Sequence, residues 1–251
     1  MSDELVRIER DGRVALLTLN RPERRNAMNR DLAQSLVDAV AACQDAGAIV
    51  LTGAGPAFCA GLDLKNLGVE RLFEMPPFIF CVRDSQVPVI GAVNGAAVTG
   101  GFELALACDF LIGSEKAAFA DTHVRVGVFP GPVLLDLPRR IGMARAREMS
   151  MTGNFVDAQT ALRIGILNQL VPQADLLPRA LALARDIAEG DPKLIRLMRQ
   201  AWKATTDVPF GDAQRVYDEY SRLAGGEEKR GSDIAARREA VIHRAHDQRP
   251  R

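Results

Sequence analysis

TGAGPAFCAGLDLK at 52–65 and GAVNGAAVTGGFELALACD at 91–109 decide how this chain is read. Each leaves a short apolar strand and enters a turn of glycine and other small residues. In the first, Gly53 and Gly55 permit positive φ and Ala60-Gly61 brings the smallest side chains together. In the second, Asn94-Gly95 turns the chain and Gly100-Gly101 opens an apolar helix over 102–108. Working outward, 48–52 (AIVLT), 88–93 (PVIGAV), 110–113 and 166–171 read as short buried strands, the last stopped by Pro172. A hairpin at the start alternates Val6 and Ile8 with charges, turns at Asp11-Gly12, and resumes over 14–19. Asn29 caps a helix whose apolar positions Leu32, Leu36, Val37 and Val40 follow helical spacing, and Asp157 caps another over 157–164. Strands alternating with helices predict an α/β architecture with much parallel pairing. From about 176 the strand signals cease, and 176–189, 192–205, 210–223 and 232–246 read as helices, with a break at 224–231.

The 251 residues suffice for a substantial core, and 47% hydrophobic with 25% charged residues is an ordinary globular composition. Thirty-two basic residues balance thirty-two acidic ones, and aromatics are 5%, so no global field or stacking platform favours nucleic acid. Cys43, Cys59, Cys81 and Cys108 form no CxxC pair and no metal-like cluster with histidine, as expected of reduced thiols in a cytoplasmic protein. No run approaches the ~18 apolar residues of a membrane span, and the charged N-terminus lacks a signal-peptide core, so no membrane partner is expected.

Both glycine turns would leave backbone N–H groups free for a ligand, although a tight strand–loop–helix connection without one accounts for the first equally well. The second is more pointed. A helix N-terminus carries unpaired donors and partial positive charge, which suits an oxyanion. Glu103, set among Phe102, Leu104, Ala105, Leu106 and Ala107, would have its pKa raised toward general acid/base use, or would simply pair with the helix dipole. Two such turns facing each other make an oxyanion hole beside a carboxyl group, which points to an activated acyl group such as a thioester. The segment lacks GxGxxG, so no dinucleotide fingerprint is present.

Five stretches in order carry a family likeness: NRPERRNAMN at 20–29, LTGAGPAFCAGLDLK at 51–65, VNGAAVTGGFELALACD at 93–109, FADTHVRVGVFPG at 119–131 and MTGNFVDAQTALRIGILNQLVP at 151–172. Over at least residues 6–172 the chain resembles the enoyl-CoA hydratase/isomerase, or crotonase, superfamily. The resemblance implies a crotonase (ClpP-like) spiral of repeated ββα units over 1–190. A helical C-terminal trimerisation region would follow over 191–251, giving a homotrimer or a hexamer made as a dimer of trimers. It implies an acyl-CoA thioester substrate, with coenzyme A entering as part of that substrate and no metal, nicotinamide or flavin. Ala60 and Gly100 would grip the thioester oxygen, and Glu103 would be one of two catalytic glutamates. Arg24, Ala27, Leu62, Asp63 and Leu64 would lie along the CoA moiety, with Arg24, Arg25 and Lys65 as candidate phosphate partners.

One position departs from the family pattern. Where FGxPE would place the second glutamate, the chain reads Phe119-Ala120-Asp121-Thr122-His123. Histidine changes charge near neutral pH and would serve as acid or base, or stand as a structural residue of the pocket. Asp121 would orient it or point elsewhere. The activities implied are hydration of a trans-2-enoyl-CoA by Glu103 and His123, isomerisation by Glu103 as sole base, or acyl-CoA binding with little catalysis. Chain-length preference would depend on a wall over 67–80. The arginine-rich end at 231–251 matches no CoA-contacting motif.

Overall fold

The computed structural model describes residues 4–63, 75–206 and 208–224. The chain divides into two compact units, Met1–Glu189 and Gly190–Arg251. In the first, β1 (Val6–Asp11) and β2 (Val14–Leu19) form the expected antiparallel hairpin, with Gly12 at φ 57° in its turn. A single 3-10 turn (Pro22–Arg24) precedes α1 (Arg30–Ala41), whose Asn29 cap accepts the Leu32 N–H at 3.0 Å. β3 (Ala48–Gly53) and β4 (Ala57–Cys59) lead to α2 (Phe78–Arg83). β5 (Val89–Val93) and β6 (Ala96–Val98) lead to α3 (Gly100–Ala107). β7 (Phe110–Ser114) and β8 (Ala118–Ala120) lead to the single turn α4 (His123–Val126). Then come α5 (Val133–Ile141), α6 (Met143–Thr152), β9 (Val156–Asp157), α7 (Ala158–Ile164), β10 (Gln169–Val171) and α8 (Leu176–Ala188).

The pairing explains the spiral. After the β1-β2 hairpin, three successive ββα units (β3-β4-α2, β5-β6-α3 and β7-β8-α4) each give their first strand to a six-stranded sheet, ordered β1-β2-β3-β5-β7-β10, and their second to a four-stranded sheet, β4-β6-β8-β9. β2, β3, β5, β7 and β10 run parallel, as do β4, β6 and β8. Parallel strands need both faces covered. Alternate residues of β3 accordingly face two cores: Ile49 and Leu51 join the large one, while Ala48 and Val50 pack with Leu176, Ala180, Ala184 and Ala188 of α8. Four residues at i, i+4 spacing, three of them alanines and one leucine, let that helix lie close on the sheet.

Three expectations shift. The helix expected over 102–108 is opened by Gly100-Gly101 as read but closes at Ala107, because Cys108 turns extended at ψ 151°. The strand expected over 166–171 is confined to Gln169–Val171, since Ile166 and Leu167 are occupied closing α7 through bonds to the Ala161 carbonyl. The three-residue strands β4, β6 and β8 were not foreseen. In the second unit α9 (Pro192–Thr205), capped by Asp191, and α10 (Phe210–Leu223) form a helical hairpin. The helix expected over 232–246 lies outside the described residues.

Candidate active site

Because β4, β6 and β8 are adjacent and parallel, their carboxyl ends stand side by side. Directly beyond those ends follow Ala60-Gly61-Leu62, Thr99-Gly100 and Asp121-Thr122-His123. Ligand sites of parallel sheets collect at this edge.

The first arm is stapled in place by 21–29. Asn26, fully buried, accepts the Arg21 N–H at 2.9 Å and donates from Nδ2 to the carbonyls of Ala54 (2.9 Å), Ala57 (2.8 Å) and Phe58 (3.2 Å). Met28 N–H donates to Gly61 O (2.7 Å) and Asp63 N–H to Met28 O (2.9 Å). These two bonds make a parallel bridge between Met28 and Leu62. In such a bridge the spanned residue's own N–H points away from the partner strand. The Leu62 N–H donates to no acceptor among the described residues. Ala60 is different: its N–H donates to Arg25 O at 3.0 Å. The expectation that Ala60 supplies an oxyanion donor is therefore corrected, because that proton is already committed; among the described residues Gly61 and Leu62 carry the uncommitted amides of this turn, and the bridge to Met28 turns that of Leu62 away from 25–28.

Gly61 lets the two arms meet. Its φ is 90°, and an added Cβ would stand 2.7 Å from Val98 O and 3.5 Å from the Gly100 nitrogen. Gly100 opens α3, so its N–H has no intrahelical acceptor. The turn before it is strained. Thr99 sits at φ 52°, ψ −114°, a conformation that a β-branched residue rarely adopts. It is held by its N–H to Ala120 O (2.8 Å) and by its hydroxyl, which meets the Thr122 hydroxyl (2.5 Å) and accepts the Thr122 N–H (3.3 Å).

Glu103 lies in the first turn of α3, 4% exposed. Its Oε1 accepts the Val133 N–H at 3.2 Å and its Oε2 stands 4.0 Å from His123 Nε2. Burial pushes this carboxyl above the ordinary carboxylate range, and the Val133 N–H and the imidazole only partly oppose it. The other ring nitrogen, His123 Nδ1, is 2.6 Å from Asp121 Oδ1. For Asp121 burial acts to raise the pKa, but hydrogen bonds from His123 and from the Ser150 side chain, with the imidazole's electrostatics, outweigh it and hold the carboxyl below its usual value. The site thus joins three buried titratable side chains from two strand ends. The Asp121–His123–Glu103 continuity was legible only as an open choice for Asp121.

The remaining expected residues hold the first arm together. Arg21 donates to Ala27 O (2.7 Å) and pairs with Asp63 Oδ2 (3.2 Å), while Arg24 is exposed. Leu64 and Lys65 lie outside the described residues, as does most of the wall expected over 67–80. From that wall Phe78 is described, and its ring stands 3.7 Å from where a Cβ on Gly100 would be.

A spiral that brings amides without acceptors among the described residues and buried acid/base side chains to the ends of adjacent parallel strands has the makings of a site for acid/base chemistry on a bound ligand. The chain belongs to the enoyl-CoA hydratase/isomerase family, whose sequence profile matches residues 9–221. A probable enoyl-CoA hydratase of Mycobacterium tuberculosis is 37% identical over 210 residues, covering 80% of this chain and 82% of the relative. A crotonyl-CoA hydratase of Syntrophomonas wolfei is 34% identical over 213 residues, again 80% and 82%. Among solved structures, a probable enoyl-CoA hydratase/isomerase from Mycobacterium abscessus superposes with a TM-score of 0.83 at 31% identity, covering 94% of this chain and 96% of that one.

Proposed function

We propose that this protein is an enoyl-CoA hydratase that adds water across the C2–C3 double bond of a trans-2-enoyl-CoA. The observation that carries the reading is the pairing of free amides at Leu62 and Gly100 with Glu103 and His123 beyond them. The names of the relatives, crotonyl-CoA hydratase among them, support it. The thioester oxygen accepts both N–H groups, each worth about 3 kcal/mol as charge develops there. Water sits between Glu103 Oε2 and His123 Nε2, which are 4.0 Å apart. At about 2.8 Å from each, its oxygen sees them at roughly a right angle, close to its natural geometry.

The environments divide the labour. Burial favours the protonated form of Glu103, which casts it as the proton donor and leaves the base's role to His123. His123 takes a proton from water as the oxygen bonds to C3, and the C2–C3 electron pair shifts to the enolate held by the amides. Glu103 then protonates C2. The imidazolium returns its proton to the Glu103 carboxylate beside it, restoring both groups. An isomerase using Glu103 alone leaves the Asp121–His123 pair without a task. Coenzyme A is part of the substrate, and protein groups carry each step. Arg24 and the backbone of 62–63 remain candidates for the CoA moiety.

A homotrimer, or a pair of trimers, is part of the same reading. α9 exposes Leu194, Met198 and Trp202 at i, i+4, i+8 and buries no residue. Light scattering on the purified chain tests it, and a monomer at micromolar concentration refutes it.

The deciding experiment follows loss of the conjugated enoyl absorbance of crotonyl-CoA and of longer 2-enoyl-CoA esters. Wild type consumes them, whereas Glu103→Gln loses about 10²–10⁴ in kcat with KM little changed. Absence of turnover with every chain length ends the proposal.

A further inference from the structure

The Asp121–His123 contact adds a requirement that follows from the hydratase reading and is separable from it. We propose that Asp121 is a positioning residue that keeps a proton on His123 Nδ1, so that Nε2 meets substrate water as an acceptor. Four observations carry this. Asp121 Oδ1 stands 2.6 Å from Nδ1, and no ionised carboxylate oxygen approaches a bare ring nitrogen so closely, so the proton lies between them. The same Oδ1 faces the His123 backbone N–H at 3.4 Å, a second contact with the same residue. The other oxygen, Oδ2, is buried and makes no hydrogen bond of ordinary geometry among the described residues, although the Ser150 side chain of α6 also acts on the carboxylate. Finally, Nε2 faces Glu103 Oε2 at 4.0 Å, a separation too long for a direct hydrogen bond and suited to a shared water.

The backbone makes this pairing possible. Asp121 and His123 are two residues apart at the end of β8, and α4 begins at His123. The turn between them folds the imidazole back over the carboxylate, and the Thr122 hydroxyl anchors that turn to Thr99. Without the Asp121 carboxylate the only acidic acceptor in reach of the ring among the described residues is Glu103 Oε2, which would draw the proton to Nε2 and turn the base into a donor.

Ring-nitrogen NMR of the full ¹⁵N-labelled chain reads the tautomer directly. The chain has three histidines, and a His123→Gln sample assigns the signal. Wild type near neutral pH should show the proton on Nδ1 and a bare Nε2. Asp121→Ala should move the proton to Nε2 and lower kcat for crotonyl-CoA at least 100-fold, with KM within threefold. Asp121→Asn keeps a carbonyl acceptor, so it should retain the wild-type tautomer and recover part of kcat. A wild-type proton on Nε2, or protons on both nitrogens, overturns the proposal. So does an Asp121→Ala protein that keeps the tautomer or the full kcat, and so do Ala and Asn variants that lose equal activity. Should Asp121→Ala fail to fold, the wild-type spectrum and the Asn variant still decide. If wild type shows the Nδ1 proton yet hydrates no enoyl-CoA, the reaction assignment fails and the positioning stands.

Discussion

Replacing Gly101 by alanine should separate the two halves of the oxyanion site without touching a reacting group. A Cβ at Gly101 would stand 2.1 Å from Cys59 O, 2.7 Å from Cys59 C and 2.8 Å from Cys59 Cβ. The first two are backbone atoms of β4, so no flexible side chain can yield. Ordinary contact begins near 3.4 Å, and α3 and β4 must therefore part by roughly an ångström. α3 carries the Gly100 N–H and Glu103, while β4 runs directly into Leu62, so the displacement opens the distance between the two amides. A misplacement of ~1 Å costs about 100-fold in rate. Overpacking against backbone belongs at the upper end of its usual range, about 3 kcal/mol, and the helix propensity of alanine returns about 1. The net loss of about 2 kcal/mol corresponds to a fall in Tm of roughly 4–8 °C for a unit of this size. Gly100→Ala is the control for folding, because its Cβ would meet Phe78, Gly61 and Leu62 atoms at an ordinary 3.7–3.8 Å. Thermal melts and crotonyl-CoA kinetics on both variants provide the test. A Gly101→Ala protein with wild-type Tm and kcat would refute the claim that this helix–strand approach sets the site.

Asn26→Ala leaves three carbonyls and the Arg21 N–H without their partner and places alanine at φ 55°; denaturant titration should show a loss of at least about 3 kcal/mol. Glu103→Gln should be more stable than wild type at neutral pH. The folded pKa of Glu103 lies above the ordinary glutamate value of 4.5, so wild type loses stability as pH rises from there through the raised value. The Tm advantage of the variant should thus be near zero at about pH 4 and grow toward pH 8; the opposite slope would show that burial does not govern this carboxyl. The depressed Asp121 acts with the opposite sign, its stability being lost as pH falls below 3.8, but it is common to both proteins and cancels. Burial pushes the Cys59 and Cys81 thiols up to about 12, so a disulfide reagent at pH 8 should label native protein far more slowly than unfolded protein.

What could be read from the sequence followed the strength of each local signal. α1 was legible because Asn29 caps it and its apolar residues keep helical spacing; β3, β5 and β7 because buried parallel strands read as continuous apolar runs. β4, β6 and β8 escaped because AFC, AAV and AFA are too short and too small to show any period. Those strands nevertheless place the candidate site, since the side chains proposed to react follow their ends. Glu103 was legible as the one carboxylate in an apolar helix.

The error at Ala60 shows what lies beyond local reading. Ala60 and Leu62 flank one glycine in a single turn, and nothing in the turn separates them. The choice is made against 25–28, and Gly61 at φ 90° interrupts strand alternation between them: Ala60 and Asp63 both donate across to Arg25 and Met28, while Leu62, spanned by the bridge to Met28, is turned the other way. Thr99 carries the same lesson in energy. Propensity forbids a β-branched residue at φ 52°, and a cost of about 1–3 kcal/mol is sustained only because Ala120 and Thr122, more than twenty residues on, hold it. That anchor is also the segment bearing His123, so the strain that presents the Gly100 amide and the turn that aims the imidazole are one structure. Thr99→Gly should release the strain while loosening His123, raising stability and lowering kcat together; a rise in both would separate the two roles.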